Sequence, residues 1–76
     1  MIRELDTVVL TCDIEEHGLK EGDVGAVVHC YKDGKAVEVE FVTAEGKTIA
    51  VLTLTSADVR PIGNDEILHA RKRASA

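Results

Sequence analysis

The segment that most constrains the fold is the alternating run VEVEF at residues 37–41. Successive side chains of a β-strand point to opposite faces, so this run predicts a strand with one apolar face and one charged, solvated face. Directly before it, Asp33-Gly34 stands between two β-rich runs, which is the strongest short-range signal for a β-hairpin. The sequence therefore predicts an antiparallel sheet whose core lies on one side.

Four further segments carry strand signals. Branched apolar residues and threonines predict strands over residues 6–12, 24–31, 48–55 and 59–62. Polar, glycine-containing stretches between them predict a long surface loop over residues 13–22 and a second hairpin loop over residues 43–47. Ser56-Ala57-Asp58 predicts one short helical turn before the last strand, because Ser and Asp cap backbone amides. Pro61 predicts that this last strand lies at an edge.

The length of 76 residues allows one hydrophobic core and a single domain over residues 1–76. Only 3% of the residues are aromatic, so aliphatic side chains must build most of that core. The alternation predicts that Glu38 and Glu40 are exposed and that a set of apolar side chains on strands one and three share the core. That set is Val8, Leu10, Val37, Val39 and Phe41.

Two smaller features of the chain also carry structural expectations. Cys12 and Cys30 are too few for a disulfide scaffold, and we expect both to be buried, reduced thiols. Gly22 and Gly25 flank the start of strand two, where they predict a tight turn and a bulge or close backbone approach.

Residues 63–76 form a C-terminal extension with two open interpretations. Acidic residues before Ile67 and basic residues after Leu68 fit a short helix aligned with its dipole. A turn at Gly63-Asn64 would instead let residues 66–71 form a strand that pairs back or covers strand four. We favour the strand, and we expect residues 72–76 to fray.

The chain carries no residue spacing that is typical of a metal or catalytic site. Its soft ligand candidates lack a CxxC or HxxxH pair, and the adjacent His29 and Cys30 of one strand point to opposite faces. A nucleophile such as Cys12 has no base held beside it. We therefore expect no enzyme, no cofactor and no metal. The soft candidates are Cys12, His17, His29, Cys30 and His69.

Charge and hydropathy narrow the classes of partner. Fourteen acidic and nine basic residues give a net charge of −5, which opposes attraction to phosphate backbones. No apolar run approaches the length of a membrane span or a signal peptide, so we expect a cytoplasmic protein with no membrane contact.

Strand four departs from alternation and suggests where a partner binds. Leu52 and Leu54 share one face, while Ile49 and Val51 point to the other. An apolar second face must be covered by another segment or by a partner. We expect Ile49 and Val51 to bind a protein partner, with a second copy of the chain as one alternative.

Two motifs resemble those of SH3-like small barrels. Residues 20–28, KEGDVGAVV, resemble the turn and strand of such barrels, including the KOW motif of ribosomal and transcription proteins. Residues 56–62, SADVRPI, resemble their closing turn and last strand. The resemblance implies a mostly β, five-stranded SH3-like barrel with a short helical turn before the last strand. It leaves a KOW-like nucleic-acid or ribosome-associated domain as the alternative function.

From residue 4 to residue 62 the chain resembles a family of short bacterial proteins, domain of unknown function 4926. This resemblance implies a fold and no established activity. By analogy it suggests a regulatory, antitoxin-like or immunity-like partner of another bacterial protein. With one Tyr, one Phe and no Trp, the chain lacks the aromatic groove with which SH3 domains bind proline-rich peptides.

Overall fold

The computed structural model describes residues 2–73, and its regular structure is almost entirely β. The 3-10 helix of the first loop is the only helix in that range. The elements, in chain order, are β1 Thr7–Leu10, the 3-10 helix Glu15–His17, β2 Val24–Cys30, β3 Ala36–Val42, β4 Thr48–Thr55 and β5 Val59–Pro61.

The five strands form one antiparallel sheet in the order β4-β3-β2-β1-β5. This confirms the predicted small, mostly β domain, including the edge position of Pro61. The sheet is not closed into a barrel, since β4 and β5 end the strand order and do not pair with each other. β5 has only three residues, one of them a proline without an N–H. It therefore has few backbone groups that could pair with a second neighbouring strand.

The predicted helical turn before β5 is a hydrogen-bonded turn rather than a helix. The Asp58 N–H donates to the Thr55 carbonyl at 2.9 Å, and the Asp58 carboxylate accepts the Thr55 N–H and hydroxyl at 3.0 Å. The one helical turn of the described residues is the 3-10 helix of the first loop. Ile14 and Leu19, on either side of it, form an isolated antiparallel β-bridge.

The core combines side chains from all five strands with Leu19 from the first loop. Because both ends of the strand order contribute, the sheet must curl around this cluster. The five core residues predicted from alternation are all buried in it. The buried cluster consists of Val8, Leu10, Leu19, Val27, Val37, Val39, Phe41, Leu54 and Val59.

Glu38 and Glu40 lie on the outer face of β3 as predicted, but they are half-buried rather than exposed. β3 is an inner strand, so both side chains have cross-strand neighbours on each side. The Thr48 hydroxyl also donates a hydrogen bond to the Glu40 carboxylate at 2.8 Å.

The expectation of two buried thiols is wrong for Cys12, which is exposed. β1 ends at Leu10, so its alternation does not extend to residue 12, and the thiol lies 3.8 Å from the Asp58 carboxylate. Desolvation first, and then the Asp58 charge, raise the pKa of this thiol. Cys30 is half-buried and packs against the core.

The close backbone approach predicted at the start of β2 is present at Gly25. A Cβ atom there would lie 2.6 Å from Val39 Cγ1 and 2.8 Å from Phe41 Cε1. Gly22 makes the preceding turn with a φ of 94°. Gly25 therefore lets the Phe41 ring and a Val39 methyl group of β3 pack directly against the backbone of β2.

The described part of the C-terminal extension is neither the predicted strand nor the alternative helix. Residues 66–73 are irregular, and Ile67 and Leu68 are exposed instead of covering strand four. Polar contacts of Glu66 and Arg71 hold the segment in place. The fraying predicted for residues 72–76 falls largely on residues 74–76, which lie outside the described residues.

Candidate interaction surfaces

The first candidate surface is the free edge of β4. This strand pairs with β3 on one side only, and no other described residue forms a backbone hydrogen bond with residues 50–54. Its sequence, TIAVLTLT, contains no charge and no proline over eight residues. Natural edges are usually kept short or are protected by lysine, proline or bulges, and of these β4 has one register shift near its start, at Ile49. The opposite edge, β5, follows that rule with three residues that include Arg60 and Pro61.

The structure separates the two residues that were predicted to form one apolar stripe. Val51 lies opposite Glu40 on the outer face and is 49% exposed. The register shifts between Phe41 and Val42, so that Ile49 has no partner on β3. Ile49 is half-buried and packs against the core. A one-residue shift moves side chains to the other face, and the bulge therefore removes Ile49 from the surface that Val51 occupies.

Val28 of β2 is an exposed apolar residue that sequence reasoning missed. Val28 follows Ala26 on the outer face by alternation, and a β-bulge between Val27 and His29 brings His29 onto that face as well. Val28 is 43% exposed on an inner strand, which makes it comparable to Val51 in type and exposure. No turn residue or break in the apolar pattern of β2 marks this bulge in the sequence.

The second candidate surface is a clasp between the C-terminal extension and the first loop. Arg71 Nε donates to Asp23 Oδ1 at 2.8 Å, and Arg71 Nη2 donates to Asp23 Oδ2 at 2.5 Å and to the Gly18 carbonyl at 2.9 Å. Burial opposes ionisation of Asp23, but hydrogen bonds from Arg71 and from the Lys20 N–H outweigh it and lower its pKa. Asp23 and Arg71 lie 48 residues apart, and although Asp23 belongs to the motif of residues 20–28, nothing in that motif indicates a partner in the extension.

An open cleft of about 810 Å³ adjoins this clasp. Val24, Phe41 and Ile49 form part of its apolar wall, and residues 69–73 border it from the extension. Ile49 thus faces a cleft beside the protein's own C-terminal segment, while Val51 remains at the outer face. The two predicted partner-binding residues belong to different surfaces.

A second ion pair holds the extension close to β5. Arg60 donates two hydrogen bonds to the Glu66 carboxylate, at 2.6 and 2.7 Å, and the Gly63 N–H donates a third at 2.6 Å. The Arg60 bonds, followed by the Gly63 bond, lower the pKa of Glu66 from its usual 4.5 to about 2. This carboxylate therefore stays ionised in moderately acidic solution.

We predict that Glu66 titrates with a midpoint near 2 in the wild type, and that Arg60→Ala moves the midpoint toward 4.5. A carboxylate whose pKa is lowered by folding stabilises the folded state above its unfolded pKa, and that contribution is lost as the pH falls toward 2. Carbon-13 NMR of the Glu66 side-chain carboxyl measures both midpoints. An identical midpoint in the two proteins would contradict the pairing.

Polar and charged side chains of the described residues lie outside the buried core. No group of three or more His, Cys, Asp or Glu side chains in this range could hold a metal ion. Every buried residue in it is apolar or a glycine.

Comparison with known proteins places this fold in a family. A family model described as Domain of unknown function (DUF4926) matches residues 4–61. The chain belongs to this family. The DUF4926 match contains all five strands, from β1 to β5, whereas the clasping segment around Arg71 lies outside it. No curated protein and no solved structure matches the chain.

None of the described helical structure is long and apolar enough to cross a membrane.

Proposed function

We propose that the chain is a non-catalytic protein-binding module that accepts a β-strand from a protein partner at its β4 edge. The observation that carries this proposal is the eight-residue, uncharged, proline-free edge strand, whose backbone is paired on one side only. An added strand gains main-chain hydrogen bonds along such an edge, and side-chain contacts supply its specificity.

The side chains along β4 suit this mode of binding. Val51 and the Thr53 side chain lie on the outer face at the edge, where an added strand would cover them. Leu52 and Leu54 anchor the same strand to the core, so the edge is held in an extended conformation before binding. Pre-organisation of this kind lowers the ordering cost of association.

The charge of the chain supports a protein partner over a nucleic acid. A net charge of −5 repels phosphate, whereas strand addition depends on backbone groups that carry no net charge. A small module that occupies a partner's strand suits a regulatory, antitoxin-like or immunity-like role toward another bacterial protein. Reduced thiols and the lack of a long apolar run support a cytoplasmic setting.

We predict that Val51→Lys weakens partner binding by about tenfold or more, because an ammonium placed in the interface must lose its hydration. Val28→Lys is the matched control, since it makes the same change at a valine of similar exposure on an inner strand. Tagged wild type and both variants are used to capture proteins from nuclease-treated lysate, and each purified protein is analysed by sedimentation. Circular dichroism checks that all three are folded.

A protein bound by wild type and by Val28→Lys, but lost from Val51→Lys, is the expected result. A homodimer that only Val51→Lys dissociates would identify the second copy as the partner. Equal loss from both variants would contradict the edge as the binding site. Submicromolar, salt-sensitive binding of wild type to RNA or DNA would instead favour the nucleic-acid function.

A further inference from the structure

The first loop holds the guanidinium of Arg71 in a preformed pocket. The Asp23 carboxylate accepts the Lys20 N–H at 2.9 Å, and the Asp23 N–H donates to the Lys20 carbonyl at 2.9 Å. The Leu10 N–H donates to the Asp23 carbonyl at 2.9 Å and fixes the loop to β1. None of these bonds involves Arg71. The Asp23 carboxylate is therefore oriented by hydrogen bonds within the loop as well as by Arg71.

Both partners in the pocket are partly withdrawn from water. The Asp23 side chain is 17% exposed and that of Arg71 is 30% exposed. Charge-assisted hydrogen bonds in a two-pronged arrangement are stronger and more specific than ordinary surface pairs. A lysine offers a single ammonium and cannot reproduce the fork, so the geometry selects arginine.

The extension itself contributes little else to the contact. Across the described residues, none of positions 67–70 takes part in a hydrogen bond, and Ile67 is 93% exposed. Beyond the Glu66 ion pair at its start, Arg71 alone holds a segment whose apolar side chains remain in solvent. A segment anchored through one side chain can be displaced by another that offers the same side chain and buries more apolar surface.

We propose that the Asp23–Gly18 pocket and its adjoining cleft recognise an arginine of an extended segment in a protein partner, and that Arg71 occupies this site in the free protein as an autoinhibitory strap. The acidic loop complements an arginine, with Asp13 adding negative charge near the guanidinium. The apolar wall formed by Val24, Phe41 and Ile49 would contact the partner residues on either side of that arginine. This site is separate from the β4 edge and does not depend on the function proposed for that edge.

The probe that tests this proposal is a peptide with the sequence of residues 64–73, added to the isotopically labelled full-length chain. Amide shifts of residues 18–24 report its binding by NMR. We expect Arg71→Ala, whose pocket is vacant, to bind the peptide at least about tenfold more tightly than the wild type, because a tethered segment competes at millimolar effective concentration. A peptide with alanine in place of the equivalent arginine is expected to lose this binding.

The double variant Arg71→Ala/Asp23→Asn is expected to lose the peptide while keeping the spectrum of a folded sheet. The alanine peptide keeps the test independent of whether that double variant folds. Equal affinity of wild type and Arg71→Ala, equal affinity of the two peptides, or no shift up to millimolar peptide would each overturn the proposal.

Discussion

Replacing Phe41 with alanine is expected to lower the free energy of unfolding by about 3 to 5 kcal/mol, the usual cost of removing a buried phenylalanine. Phe41 is the only aromatic side chain in the buried core and packs against the Gly25 backbone. Small domains have total stabilities of only about 5 to 15 kcal/mol, so a large fraction of the molecules would be unfolded. Urea denaturation followed by circular dichroism measures the loss.

Val42→Ala is the matched control for this substitution. Val42 is the next residue along β3, but its side chain is half exposed and is not part of the buried cluster. Its loss should change the free energy of unfolding by about 0.5 kcal/mol or less, as is usual for surface positions. If the two variants had the same unfolding midpoint, the assignment of the core to the Phe41 face would be wrong.

The second large effect is expected for Gly25→Ala, which adds a single carbon to β2. That carbon would lie 2.6 Å from Val39 Cγ1, well inside van der Waals contact. Overpacking of a core costs about 1 to 3 kcal/mol, and Gly25→Val should cost more. The position has no left-handed backbone angle, so the cost comes from packing and not from strain at φ. Thermal and urea unfolding measure it.

Ala26→Val controls for added volume in the same strand, because Ala26 is exposed on the opposite face. It should be nearly neutral. A double-mutant cycle with Val39→Ala removes the atom nearest to the new carbon, so Gly25→Ala should cost less in that background by about 0.5 kcal/mol or more. Equal cost in both backgrounds would place the source of destabilisation elsewhere.

Much of the sheet could be predicted because its signals are local. Alternation over residues 37–41 and the Asp33-Gly34 turn depend only on neighbours in sequence, and β4 begins and ends at the predicted residues 48 and 55. Five residues of the buried cluster follow from the alternation of strands one and three, whereas Leu19 of the first loop lies in no alternating segment. Pro61 indicated its own edge position, since the missing N–H limits where proline can stand in a sheet.

The candidate surfaces depend on contacts that local patterns do not carry. Bulges at Val28 and Ile49 each move one residue out of register, and no turn residue marks either position. The pairing of Arg71 with Asp23 joins residues 48 positions apart. A turn at Gly63-Asn64 favoured a strand in the extension, yet the ion pairs of Glu66 and Arg71 hold it in an irregular path.

Amide hydrogen exchange along β4 tests the central claim, that this edge accepts a strand, most directly. In the free protein the outward N–H groups of residues 50–54 have no protein acceptor and should exchange rapidly, while those bonded to β3 are protected. With the captured partner, or in the dimer if the partner is a second copy, the rapid set should become protected and β5 should not change. Unchanged exchange across β4 in a saturated complex would contradict the account.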